Sequence, residues 1–184
     1  LFRSSQVEDT DTYERALATA AWVRGRAGAP IAALDIGGGF PAAYGADPRR
    51  GATAEPDTGA LIGEIVREAE EWGFGDLPLT AEPGRVIVAR SLSVIVRVLL
   101  RKGRRIYIND GIWASLSDSW TGKITLPARL LPDPAHRGKR SGNAEKLMPF
   151  RVCGATCDSV DILSRPFFLP ETVDTGDWIE IGHI

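Results

Sequence analysis

Leu34-Asp35-Ile36-Gly37-Gly38-Gly39-Phe40-Pro41 is the stretch on which the reading of this chain turns. An apolar run, Ile31 to Ile36, predicts a buried strand, and it empties directly into three consecutive glycines. Glycine lacks a Cβ, so its N–H can approach a ligand closely and its backbone can take a positive φ. Three glycines at the end of a strand therefore suit a phosphate cradle. They suit a tight strand-to-helix turn equally well, and residues further along the chain decide between the two. Asp35, which leads into the glycines, reads as structural.

Ahead of the strand, Asp9-Thr10-Asp11 predicts a helix start. Tyr13, Ala16, Leu17, Ala20 and Ala21 then follow helical spacing to an end near Gly25 to Gly28. Behind the strand, a loop rich in Gly, Pro and Asp runs from Gly37 to about Pro56, long enough to hint at function. A second helix is expected from about Asp57 to Trp72, with Leu61, Ile62, Ile65, Val66 and Ala69 as its apolar face and Gly73 after it. Leu77–Ala81 predicts another strand, ended by Glu82-Pro83-Gly84-Arg85. Past Arg85 the period changes to that of strands: Leu92, Val94, Val96, Val98 and Leu100 alternate with other residues. Further strands are expected at Arg104–Asn109, Lys123–Leu126, Phe150–Val152 and Trp178–Ile181, with Leu131–Lys146 as an exposed basic loop.

Strand–helix alternation followed by all-strand sequence predicts an α/β part, residues 1–90, joined to an all-β part, residues 91–184. A closed (β/α)8 barrel takes roughly 250 residues, so a barrel origin for the first part means that most of the barrel is missing. The 184 residues carry a formal net charge of −2, which gives no electrostatic case for nucleic acid. The most apolar region, Val86 to Leu100, is broken by Arg90 and Arg97 and falls short of a membrane span. The start, Leu1 to Gln6, has no apolar signal core and no initiator Met, which points to a fragment or processed chain. Cys153 and Cys157, spaced C-x3-C with no second pair, make neither a zinc site nor a disulfide scaffold; no metal is expected, and a reducing cytoplasm is the default location.

Two further clusters bear chemistry. Pro83 has no N–H and ends its strand, which places Glu82 at the strand's C-terminal end, the functional face of α/β sheets. Gly84 offers an approachable N–H and Arg85 a planar fork suited to phosphate; a surface turn with an Arg–Glu pair is the plain alternative. The second cluster is Cys153-Gly154-Ala155-Thr156-Cys157-Asp158-Ser159-Val160-Asp161. It reads either as a buried thiol beside a turn aspartate or as a thiol and a carboxylate projected into a site for charged substrate groups.

Five segments in order, LDIGGGFP, AEPGR, IYINDGIWASLSD, CGATCDSVD and LPETVDTGDWIEIGHI, resemble the fold-type III pyridoxal-phosphate decarboxylases, most of all the ornithine/lysine branch. The resemblance runs from about Ser5 to Ile184. It implies the C-terminal part of an alanine-racemase-like (β/α)8 barrel joined to part of a C-terminal β-barrel or sandwich domain. It also implies that Gly37, Gly38, Gly39, Gly84 and Arg85 bind the phosphate of pyridoxal 5'-phosphate and that Glu82 faces its pyridine nitrogen. Cys157 would be catalytic, directing protonation of the carbanion, and Asp158 would bind the distal amine of a basic amino acid. Both would act across a homodimer interface, with sites shared between subunits. The Tyr-Asp pair that eukaryotic members use for the far amine is absent; Asp118 reads either as its substitute or as a plain turn aspartate.

Departures from the family pattern are equally specific. The Schiff-base lysine of the family lies before this chain begins, and no lysine precedes Lys102. Phe2 falls where the family places a histidine that stacks on the cofactor. The expectation is therefore a portion of an ornithine or lysine decarboxylase of polyamine biosynthesis, inactive alone. A non-catalytic regulator of such an enzyme, or another member of the fold such as a diaminopimelate decarboxylase, are the alternatives.

Overall fold

The computed structural model describes residues 7, 10–44, 56–121, 124–131, 133 and 142–184. Asp9, Phe2, Lys123, His136, the middle of the loop after the glycines (45–55) and most of the expected basic loop lie outside the described residues. The chain divides into two units, one of Leu1–Ala43 with Ala54–Ile87 and one of Tyr44–Thr53 with Val88–Ile184.

The first unit contains helix α1 (Asp11–Arg24), strand β1 (Leu34–Asp35), helix α2 (Thr58–Glu71) and strand β2 (Leu79–Thr80). The strands pair in parallel, with Leu34 opposite Leu79 and Asp35 opposite Thr80. The expected strand Ile31–Ile36 is thus much shorter than its apolar run. Pro78 lies next in register and has no N–H to donate, so the ladder stops ahead of Leu34 and Ile31 to Ala33 stay exposed. Helix α2 begins on Asp57, whose Oδ1 accepts from the Ala60 N–H at 2.9 Å. Gly73 follows its C-terminus with φ +83°, which glycine tolerates without strain. Leu61, Ile65 and Ala69, spaced four apart, turn inward on one face. One apolar cluster joins Tyr13, Phe40, Leu61 and Ile65; another joins Leu17, Ala69 and Phe74. At the end of α1, Arg24 closes this layer: it is ion-paired to Asp76 at 2.7 Å and stacked over the Phe74 ring. The Asp76 hydrogen bond raises the Arg24 pKa and the same bond lowers that of Asp76.

Helix α3 (Arg85–Val88), one turn long, follows β2. The second unit is a six-stranded sheet built from β3 (Ser93–Lys102), β4 (Arg105–Ile108), β5 (Ala128–Leu131), β6 (Leu147–Cys153), β7 (Phe167–Pro170) and β8 (Trp178–Gly182), with the short helix α4 (Ser117–Thr121) after β4. The strand order is β5-β8-β3-β4-β6-β7. All neighbours are antiparallel except β4 and β6, which run parallel. The outermost strands β5 and β7 also approach each other, so the sheet curls into a nearly closed barrel. Alternate residues fill it, among them Val96, Val98, Ile106, Ile108, Phe150, Val152, Leu169, Ile179 and Ile181.

Several strand expectations are corrected here. The β3 alternation breaks at a bulge between Val98 and Leu100, so Val96 and Val98 are buried while Leu100 is exposed; Leu92, also exposed, lies ahead of the strand. Past the bulge the half-buried Arg101 turns in, donating to the carbonyls of Glu171 at 2.8 Å and of Val173. The strand expected at Lys123–Leu126 begins instead at Ala128. Ile124 and Leu126 are buried without strand pairing, and the ladder to β8 starts where the Pro127 carbonyl accepts from Gly182 N–H. Strand β7 is hidden in the sequence by Pro166 and Pro170 at its two ends.

Candidate functional site

In the first unit, parallel pairing of β1 with β2 sets the two strand ends side by side. The ladder runs Leu34 N–H to Pro78 carbonyl (3.0 Å), Ile36 N–H to Thr80 carbonyl (2.9 Å), and Glu82 N–H to Gly37 carbonyl (2.8 Å). The last of these bonds joins the glycine turn to the Glu82 segment directly. The approach is close enough that a Cβ on Gly38 would lie 2.6 Å from the Glu82 carbonyl oxygen. Gly37 and Gly39 have φ of 74° and 89°, a conformation other residues resist.

The polar groups of the turn fall into two sets, one bonded within the protein and one turned outward. Asp35 Oδ1 accepts from Gly37 N–H at 2.8 Å, so this carboxylate shapes the turn and occupies that amide. The Tyr13 hydroxyl donates to the Gly38 carbonyl at 2.8 Å, and Val7 N–H to the Gly39 carbonyl at 3.0 Å. Tyr13 is buried and its pKa is raised by that burial, which keeps it a neutral donor. The sequence shows Tyr13 only as an inward helix position, with no sign of this bond. The N–H groups of Gly38, Gly39 and Gly84 have no hydrogen-bond partner among the described residues. A Cβ on Gly84 would meet nothing within 4 Å. Glu82 is exposed and Arg85 is half-buried. Amides without partners beside an exposed carboxylate and a guanidinium suit a ligand that presents an anion to the turn.

In the second unit, the loop after β6 carries Cys157 and Asp158. Both cysteines are free thiols, Cys153 buried and Cys157 exposed. Asp158 is exposed; its Oδ1 accepts from Val160 N–H at 2.9 Å, and its carbonyl accepts from Asp161 N–H at 3.1 Å. The residue that organises this loop is Asp161, only 2% exposed. Its Oδ1 accepts from the buried Ile112 N–H at 3.0 Å, and its Oδ2 from the Thr156 N–H at 3.1 Å and hydroxyl at 2.5 Å. A Cβ on Gly111 or on Gly154 would lie 2.2 Å from a carboxylate oxygen of Asp161. Both glycines thus leave room for this one side chain, and the segment after β4 is joined through it to the Cys157 loop. In the sequence Asp161 is only the last residue of the Cys153–Asp161 cluster, with no role attached. The signal that could have found it is an acid between apolar Val160 and Ile162, with glycines in both segments it touches.

Asp118 sits exposed in the first turn of α4. Exposed Trp113 and Trp120 lie either side of it in sequence, with ring centroids 6.3 Å apart. Ser164 donates to the Ser119 carbonyl, and so fastens α4 to the stretch that follows Asp161. The second unit therefore brings Asp118, Cys157 and Asp158 onto segments linked to one another. The glycine turn, Glu82, Gly84 and Arg85 are brought together in the first.

A family model described as "Pyridoxal-dependent decarboxylase, C-terminal sheet domain" matches residues 44–183. The chain belongs to this family. Its members are pyridoxal-phosphate-dependent amino-acid decarboxylases, and the curled six-stranded sheet is their C-terminal sheet domain. The chloroplastic ornithine decarboxylase of Nicotiana glauca is 28% identical over 153 residues, covering 79% of this chain and 32% of that protein. A diaminopimelate decarboxylase of Actinosynnema pretiosum subsp. auranticum is 29% identical over 188 residues, covering 96% and 39%. SrLDC, solved in complex with PLP and cadaverine, superposes with a TM-score of 0.68 at 27% identity, covering 98% of this chain and 44% of that one. The chain thus spans between about a third and somewhat under half the length of these relatives. Among the described residues no helix is long and apolar enough to cross a membrane, and no group of His, Cys, Asp and Glu is arranged to hold a metal ion.

Proposed function

We propose that this chain is the portion of a pyridoxal-phosphate-dependent decarboxylase that grips the cofactor's phosphate and supplies a substrate-facing loop. The enzyme would release CO2 from ornithine or lysine and give the corresponding diamine. The observation that carries the reading is the glycine turn. Glu82 N–H is bonded to the Gly37 carbonyl, while Gly38 and Gly39 keep amides without partners among the described residues beside it.

Pyridoxal phosphate supplies an electron sink for the carbanion left by the departing carboxylate. On this chain, Gly38, Gly39 and Gly84 would donate N–H groups to its phosphate, with Gly37 shaping the turn and Arg85 adding a guanidinium. Glu82 would accept from the protonated ring nitrogen and so hold the proton there. Cys157 would deliver or direct a proton, and Asp158, with Asp118 as a second carboxylate, would bind the distal ammonium group. The exposed positions of all three support roles toward a ligand or a partner subunit, in keeping with a homodimer whose sites are shared. Parallel β1 and β2 with two flanking helices support reading residues 1–90 as part of a βα-barrel that precedes the sheet domain of 91–184. Two free thiols, one exposed, fit a reducing cytoplasm.

Binding of pyridoxamine 5'-phosphate tests the cradle, because this ligand needs no lysine. Tryptophan fluorescence of the 184-residue chain should be quenched by pyridoxamine 5'-phosphate but not by unphosphorylated pyridoxamine. Equal binding of the two would remove the phosphate cradle from the account. The 184 residues alone should not turn over ornithine, since no lysine precedes Lys102. A borohydride-trapped adduct accompanied by turnover would overturn that expectation.

A further inference from the structure

The end of the β3–β4 hairpin carries a concentration of charge that the proposed decarboxylase chemistry does not use. Lys102 lies directly opposite Arg105 across the antiparallel β3–β4 pair. Arg105 lies directly opposite Arg151 across the parallel β4–β6 pair. Residues in register project from the same face of a sheet, so three cations form one row across three neighbouring strands. Arg104, in the two-residue turn with Gly103 (φ +57°), stands at the end of the row, and its carbonyl accepts from Arg151 N–H at 2.9 Å. All four side chains line a single open depression of about 280 Å3.

Like charges placed directly opposite one another on a sheet repel and destabilise it. Several other cations of this chain are neutralised: Arg24 by Asp76, Arg129 by Glu180, Lys146 by Glu171. Lys102, Arg104, Arg105 and Arg151 have no carboxylate partner among the described residues. The chain as a whole has more acidic than basic residues, 24 Asp and Glu against 22 Lys and Arg, yet no described acid is set here. Arg105, the middle member of the row, has its pKa raised first by the neighbouring Tyr107 side chain, so it keeps its charge.

We propose that this depression binds a small polyvalent anion carrying two or three linked phosphate groups. Strands are spaced about 4.8 Å apart, so the row spans roughly 10 Å. That reach exceeds one phosphate and matches a short phosphate chain. Three guanidinium forks supply paired donors for phosphate oxygens, and Lys102 a point charge. The depression is small for a folded partner and shallow for an apolar ligand. The same chemistry is presented by free polyphosphate and by the phosphate tail of a nucleotide.

Isothermal titration of the full 184-residue chain with sodium tripolyphosphate, and separately with ATP, tests this at low ionic strength. Tripolyphosphate should bind, with affinity falling as salt rises. The double variant Arg105→Gln/Arg151→Gln should bind about a hundredfold more weakly, about tenfold for each charge-assisted hydrogen-bonding group removed. Arg129→Gln, at a cation already paired with Glu180, should bind as the parent does. Equal affinity for ATP and tripolyphosphate would assign the site to the phosphate chain alone, and tighter ATP binding to a nucleotide; either supports the proposal. Without ligand and at low salt, the double variant should melt at a higher temperature than the parent, because the row's repulsion is relieved. Absent binding, undiminished binding by the double variant, or an unligated variant no more stable than the parent would each overturn it.

Discussion

Replacing Asp161 with alanine should loosen the second unit by about 3 kcal/mol, and the structure shows where that figure arises. The carboxylate accepts three hydrogen bonds, two from backbone N–H groups and one from a hydroxyl. Ile112 is buried, so its N–H would be left without a partner or water, at about 1–3 kcal/mol. Thr156 is exposed, so its N–H and hydroxyl regain solvent and together cost only about 1 kcal/mol. Against a usual domain stability of roughly 5–15 kcal/mol, this is a large fraction. Asp161→Asn keeps the shape and one acceptor for Ile112, but turns an NH2 toward the Thr156 N–H, and should cost about half as much. Urea titration followed by tryptophan fluorescence would read the midpoint shift at constant slope. Hydrogen exchange at the Ile112 amide would localise the effect to this unit. An alanine variant within about 1 kcal/mol of the parent, with Ile112 still protected, would refute the assignment of Asp161 as the organiser of the Cys157 loop.

Three further outcomes can be checked. Gly38→Ala should cost about 1–3 kcal/mol in thermal melts and abolish phosphate-dependent binding of pyridoxamine 5'-phosphate, because its Cβ would meet the Glu82 carbonyl at 2.6 Å and backbone must shift. Asp57→Ala should lower stability by about 1 kcal/mol by removing the acceptor for Ala60 N–H, while Asp57→Ser should largely retain it. Glu68 has its pKa raised above the usual 4.5 by burial first and then by Glu14 and Glu64, and its buried Oε2 has no hydrogen-bond partner among the described residues. A raised acid binds its proton more tightly when folded, so its contribution is most favourable below pH 4.5 and is lost as pH rises through the folded value. Glu68→Gln should therefore flatten the stability profile just above pH 4.5 and melt higher than the parent at neutral pH; equal melting temperatures at neutral pH would count against it.

Much of the candidate site is readable in the sequence because its logic is local. Gly37, Gly38 and Gly39 must follow a strand to make a cradle, and the apolar run before them announces one. Glu82-Pro83-Gly84-Arg85 carries its own strand terminator in Pro83. Asp35 reads as structural in the sequence, and its bond to Gly37 N–H bears that out. Other features escape because they depend on partners far away in sequence. Nothing local marks Tyr13 as the donor to Gly38, and the acid at Asp161 between apolar neighbours does not by itself name Ile112 and Thr156 as its partners. Strand lengths are misjudged where the partner strand decides them, as Pro78 does for β1.

By itself the sequence determined the two helices α1 and α2, strands at or near β1, β2, β3, β4, β6 and β8, and membership of the pyridoxal-dependent decarboxylases. These follow from periodicities of about 3.6 and 2 and from motifs that lie within a few residues. Only the tertiary structure decided the parallel pairing of β4 with β6, the curl that brings β5 toward β7, and the β3 bulge that turns Arg101 inward. It alone set Lys102, Arg105 and Arg151 in one row and packed Asp161 against Gly111 and Gly154. Register between distant segments is a property of the curled sheet. No local window of residues contains the partner that sets it.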